Sequence, residues 1–192
     1  MTYPAATRSR WHRAFWLIAA VIVVLAGGTA AAAGLRGGSA VPPRPHPGYL
    51  LTATDAHFSA TFPGKPQRTE KTTRTGPVIF YLAYFPDHAV EVIAAPVPAS
   101  GSFSLDRAVN VIATAFPGGQ VFSRHRLAYR GHPAEDAAIS VLGNPGRIRV
   151  VGFGSTAYIF EGYGMTAASF AHDYQTLLDS FRLLAPAPGH VG

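Results

Sequence analysis

Gly76-Pro77-Val78-Ile79-Phe80-Tyr81-Leu82-Ala83-Tyr84-Phe85 opens on a turn dipeptide and runs into the most apolar stretch of the chain after residue 48. Consecutive apolar, aromatic and β-branched side chains over so short a run predict a strand covered on both faces. Such a strand needs neighbours beside it and packed layers above and below it.

Those neighbours are legible on either side. Toward the N-terminus, Gln67 to Arg74 is polar and Thr-rich, which suits an exposed or edge strand. Leu50 to Thr54 and Phe58 to Phe62 alternate around Asp55-Ala56-His57, a hairpin turn. Toward the C-terminus, Pro86-Asp87-His88 turns the chain into a strand from Ala89 to Val97. Ser104 is then placed to cap a helix, with Leu105, Ala108, Val109, Ile112 and Phe116 at helical spacing. Pro117-Gly118-Gly119 ends it. Strands are expected at Gln120 to Leu127, Ala134 to Leu142, Arg147 to Phe153 and Thr156 to Phe160, with Gly143-Asn144-Pro145-Gly146 as the connection between the middle two. A second helix carries Phe170, Tyr174, Leu177, Leu178 and Phe181 on one face, and Pro186 and Pro188 prevent its continuation. Strands joined by hairpins, with two helices between runs of strands, predict an α+β fold: a largely antiparallel sheet of about six to seven strands with packed helices.

Upstream of this domain, at residues 49–184, the chain changes character. Ala14 to Leu35, AFWLIAAVIVVLAGGTAAAAGL, is uncharged and follows Arg8, Arg10 and Arg13. As a helix it would span about 33 Å, enough for a hydrocarbon core of ~30 Å. The basic residues 1–13 are expected on the cytoplasmic side. The same stretch also has the form of a signal peptide, with its strongest apolar residues in the first half and Ala31-Ala32-Ala33 as a cleavage-like site. The expectation is a transmembrane signal anchor at 14–35, or a cleaved signal peptide, with everything downstream exported. The lipid bilayer is then a partner through residues 14–35. Residues 36–48 form a Pro/Gly-rich linker, and residues 185–192 a disordered tail.

The net charge of +6 divides unevenly. Residues 1–48 hold five arginines and no acid, whereas residues 49–192 hold eleven basic and ten acidic residues. Nucleic-acid binding needs basic charge on the folded domain, so that partner is not expected. The absence of cysteine excludes disulfides, thiolate catalysis and Cys-based zinc sites.

At Phe58-Ser59-Ala60-Thr61-Phe62-Pro63-Gly64-Lys65-Pro66, Gly131-His132-Pro133 and Leu178-Asp179-Ser180-Phe181-Arg182-Leu183 the chain resembles a bacterial envelope domain. This is the PsbP-like α/β/α sandwich, shared with LpqN- and DcrB-type proteins. The likeness covers roughly residues 49–184. It implies that fold and an exported location, and no catalytic motif is transferred with it.

Chemistry-bearing patterns are sparse. Gly152 to Ala157 and Gly162 to Ala167 both fit a loose G-x-G-x-x-A pattern, but neither sits in a βαβ unit, so no nucleotide cofactor is expected. The histidines have no recognised metal spacing and are read as surface residues in turns, so no metal is expected. No G-x-S-x-G elbow is present. Glu135-Asp136 is the one adjacent acidic pair in the domain, and neighbours on a strand face opposite sides. A two-carboxylate site would need Glu91 or Glu161 brought in by the fold. No catalytic residues are therefore assigned, and the domain is expected to be a non-catalytic ligand- or protein-binding module. The alternative is a cofactor-free envelope hydrolase with a dispersed site.

The candidate binding residues are Arg124, Arg126, Arg147 and Arg149. A turn at Gly143 to Gly146 would put Arg147 and Arg149 opposite Leu142 and Ser140. That leaves positive charge for an anionic lipid, polymer or envelope protein. The alternative is a solvated face, or salt bridges to a helix bearing Asp173 or Asp179.

Overall fold

In the computed structural model, residues 48–97, 103–116 and 118–184 are described. The transmembrane and tail assignments, and all but the last residue of the linker, lie outside them. No helix among the described residues is long and apolar enough to cross a membrane.

The elements are β1 (Tyr49–Ala53), β2 (Phe58–Phe62), β3 (Gln67–Thr73), β4 (Gly76–Tyr84), β5 (His88–Pro96), α1 (Leu105–Ala115), β6 (Gln120–Tyr129), β7 (His132–Val141), β8 (Asn144–Phe153), β9 (Thr156–Gly164), α2 (Ala167–Ser180) and β10 (Arg182–Leu183). Seven strands form one sheet in the order β3-β4-β5-β9-β8-β7-β6, and every neighbouring pair is antiparallel. β1, β2 and β10 form a separate three-stranded sheet. The apolar run at Val78 is β4, and it is covered on both faces as its composition requires. Val78 and Phe80 belong to the core under α1, while Ile79, Tyr81 and Ala83 belong to the core under α2.

The two faces are closed by different devices. On one, Ala108, Val109, Ile112 and Ala113 of α1 pack on Ile139, Ile148, Val150 and Ile159. Ser104 caps this helix by accepting from the Arg107 amide at 3.3 Å. On the other face, α2 and the small sheet lie together against the large sheet. Phe181, just past the end of α2, is fully buried, and its ring meets those of Phe58 at 5.4 Å, Phe160 at 4.8 Å and Tyr158 at 5.2 Å. Aromatic rings at such spacings contribute beyond the area they bury. Buried hydroxyls stitch the layers together. Tyr129 donates to the Leu178 carbonyl at 2.6 Å and Tyr158 donates to the Ala56 carbonyl at 2.8 Å.

One turn differs from expectation. The β7–β8 connection is the two-residue turn Leu142-Gly143, with Val141 paired to Asn144. Both turn residues have positive φ, 52° and 82°, the combination that suits a tight antiparallel hairpin. Asn144, Pro145 and Gly146 are therefore strand residues. Arg149 faces Asp136 and Arg147 faces Ala138, not Ser140 and Leu142.

Candidate functional site

Because side chains alternate along each strand, the four arginines fall on two faces. Arg124 and Arg126 lie on the α1 side. Arg124 donates to Asn110, to the Asp106 carbonyl at 3.3 Å and to Glu135 at 3.4 Å, and Arg126 pairs with Asp106. Their charge is balanced by an acid on α1 and by the buried Glu135 of β7.

Arg147 and Arg149 lie on the α2 side. Arg149 makes a two-point pair with Asp136, one contact of 2.6 Å, and its guanidinium sits 4.9 Å from the centre of the Tyr129 ring. Arg147 is exposed and, among the described residues, has no acid within ion-pairing distance. Beside it on β9 is Gly162, and over Gly162 lies the ring of Tyr174 from α2. A Cβ on Gly162 would stand 2.8 Å from that ring, so glycine lets the helix seat Tyr174 against the sheet. The Tyr174 hydroxyl is buried and has no hydrogen-bond partner. Burial holds it well above the usual phenol range, with Asp136 raising it further and Arg149 and Arg147 lowering it. It is therefore a protonated donor without an acceptor, within electrostatic reach of two guanidinium groups.

Two clusters escaped the sequence reading. The first is His88, expected as a surface residue in a turn but only 6% exposed. Its Nδ1 lies 2.8 Å from Asp87 and its Nε2 lies 2.8 Å from Asp173 of α2. The fold supplies Asp173, so the local sequence gave no signal of it.

The second is Glu91 and Glu161. The pairing of β5 with β9 sets them directly opposite each other, 2% and 1% exposed. They share the α1 side of the sheet with Ile93 and Ile159, their same-face neighbours two residues along each strand. Three of their carboxyl oxygens are buried without a partner. Burial pushes Glu161 up to about 8, and burial followed by the neighbouring Glu161 charge holds Glu91 well above the carboxylate range. The only sequence signal was that both acids fall inside apolar strands. A glycosidase needs its carboxyls across an open cleft on either side of a sugar bond. Both carboxyls here are buried in the sheet face, with no room for a sugar between them.

No protein-family profile matches the chain, and no curated protein matches it by sequence. Solved structures that the chain matches include the following two. One is the solution structure of cyanobacterial PsbP (CyanoP) from Synechocystis sp. PCC 6803, with 11% identity and a TM-score of 0.50, covering 78% of this chain and 98% of that one. The other is a Pseudomonas aeruginosa protein of unknown function, with 15% identity and a TM-score of 0.41, covering 74% of this chain and 99% of that one. The antiparallel seven-stranded sheet with its two helices is a PsbP-like fold.

Proposed function

We propose that this chain is a membrane-tethered extracytoplasmic envelope protein of the LpqN/DcrB type, whose domain is a non-catalytic module binding an anionic ligand between α2 and strands β7 and β8. The tether is residues 14–35, with residues 1–13 in the cytoplasm and 36–48 as the stalk. The basic flank, the length of the apolar run and the near-neutral domain support this placement. The observation that carries the ligand class is the Tyr174 hydroxyl, a buried donor with no acceptor, next to Arg147, a guanidinium with no acid. An oxyanion, from a lipid headgroup or an acidic polymer, supplies the acceptor that both lack. The role of Arg124 and Arg126 in this reading is structural, because Asp106 and Glu135 already balance them.

The test is co-sedimentation of the domain, released at the stalk, with vesicles of phosphatidylglycerol or phosphatidylcholine. Binding is expected to the anionic vesicles alone. Arg147→Glu and Tyr174→Phe should each weaken it about tenfold or more, the loss of one charge-assisted hydrogen bond. Equal binding by wild type and both variants would sink the assignment.

A further inference from the structure

The Glu91–Glu161 pair has no part in that reading, and its surroundings point to a ligand of opposite charge. We propose that Glu91, Glu161, Tyr163 and Tyr84 form a binding site for a small primary alkylammonium ion.

The cross-strand rows define the site. One row runs Leu82, Glu91, Glu161, Ile148 across β4, β5, β9 and β8. The next row on the same face runs Tyr84, Ala89, Tyr163, Gly146. Between the two tyrosines this second row carries only a methyl group, so the sheet surface is lowest there. Tyr163 is half-buried and Tyr84 is 62% exposed. The Tyr163 hydroxyl is within electrostatic reach of Glu91, Glu161 and Tyr84. Tyr163 thus stands between the buried carboxyls and the exposed Tyr84, on the side from which the ion would enter.

The chemistry of the occupant follows from what the pair lacks. Glu91 Oε2, Glu161 Oε1 and Glu161 Oε2 are buried and have no hydrogen-bond partner. Leaving a buried polar group unpaired is costly, of the order of 1–3 kcal/mol for each. A primary ammonium carries three N–H donors and one positive charge, which matches three oxygens and a carboxylate pair. Tyrosine rings at the entrance favour a cation, and Leu82 and Ile148 flank the pair with apolar surface for a short alkyl stem.

A metal ion fits less well. Calcium takes six to eight oxygens, and two carboxylates supply four at most. Among the described residues no group of three or more His, Asp or Glu stands where it could hold a metal. Burial keeps the carboxyls protonated, so entry of the ammonium exchanges a proton for the charge of the amine. The other titratable groups in electrostatic reach are Tyr163, which faces both carboxyls and Tyr84, and, from α2, Tyr174, which reaches Glu161.

The experiment is isothermal titration of the full chain in detergent micelles with n-butylammonium chloride. Tetramethylammonium chloride and calcium chloride serve as comparators. Saturable butylammonium binding is expected, about tenfold or more tighter than tetramethylammonium, which has no N–H. Glu161→Gln and Glu91→Gln should each lose it, with near-ultraviolet circular dichroism reporting that the fold persists. Tyr163→Phe, which leaves both carboxyls in place, should weaken binding severalfold. Absence of saturation, equal affinity for the two ammonium ions, binding unchanged in the Gln variants, or tighter binding of calcium would each overturn the assignment.

Discussion

Glu91 of β5 stands directly opposite Glu161 of β9, and both carboxyls lie inside a sheet face whose adjacent core residues are isoleucines. Like charges opposite one another across a sheet oppose its pairing, so the fold holds the pair protonated. That has a consequence for stability. Below the unfolded carboxyl value of about 4.5, Glu161 is protonated in both states and adds no pH dependence. Between there and the folded value of about 8, the unfolded chain releases a proton that the folded chain keeps. Stability therefore falls as pH rises through this window, by up to about 1.4 kcal/mol per pH unit for the proton retained. In urea denaturation at pH 5, 6.5 and 8 the wild type should weaken steadily. Glu161→Gln should show a shallower decline and be the more stable protein at pH 8. Parallel profiles for the two proteins would refute the buried pair.

The β7–β8 hairpin gives a second test. Leu142 occupies a left-handed position, φ 52°, in the first place of a two-residue turn, and it is 49% exposed. Asparagine tolerates that conformation far better than leucine, and Asn-Gly is the favoured pair for such a turn. Leu142→Asn should raise stability by about 0.5–1 kcal/mol, read as a higher melting temperature with unchanged anion binding. A loss of stability would mean that the Leu142 side chain has a packing role.

The same hairpin explains why the strands were readable and the site was not. Alternation and helical spacing located the elements because they are local signals: Val78–Phe85, the stripe on α1 and Phe170, Tyr174 and Leu177 on α2 all lie where their periodicity puts them. Register is less local. Gly143 to Gly146 holds two glycines, an asparagine and a proline, so it looked like the turn, while the turn is centred two residues earlier, at Leu142-Gly143, and draws Asn144 to Gly146 into β8. That displacement gave Arg149 an acidic partner and left Arg147 without one. Contacts between distant segments left still less trace. Glu91 meets Glu161, and His88 meets Asp173, only because β5 pairs with β9 and α2 crosses that face.

Arg149 and Asp136 form the third test. Their side chains are 14% and 25% exposed, and the guanidinium also rests against Tyr129. A two-point pair this sheltered is screened less than a surface ion pair, so its coupling should exceed the usual surface value. A double-mutant cycle with Arg149→Ala and Asp136→Ala should return about 1–3 kcal/mol of interaction energy. The Arg124–Asp106 pair, whose acid is 50% exposed, should return a clearly smaller coupling. Equal couplings would show that shelter by the sheet adds nothing.

Gly162 connects the fold to the proposed anion site, and it can be tested at the level of a single methyl group. A Cβ there would come within 2.8 Å of the rings of both Phe170 and Tyr174. Both rings are buried on α2, so neither can swing out without exposing apolar surface. The helix must instead lift from β9, at a cost of about 1–3 kcal/mol for overpacking. Gly162→Ala should lower the melting temperature by on the order of 5 °C. It should also move the Tyr174 hydroxyl away from Arg147 and weaken phosphatidylglycerol binding. Adding Tyr174→Leu to Gly162→Ala should recover part of the stability, because the smaller side chain vacates the contested space, but none of the binding, because no hydroxyl returns. Recovery of both would show that Tyr174 acts only by packing, and an unchanged melting temperature for Gly162→Ala alone would show that α2 does not press on β9 at this point.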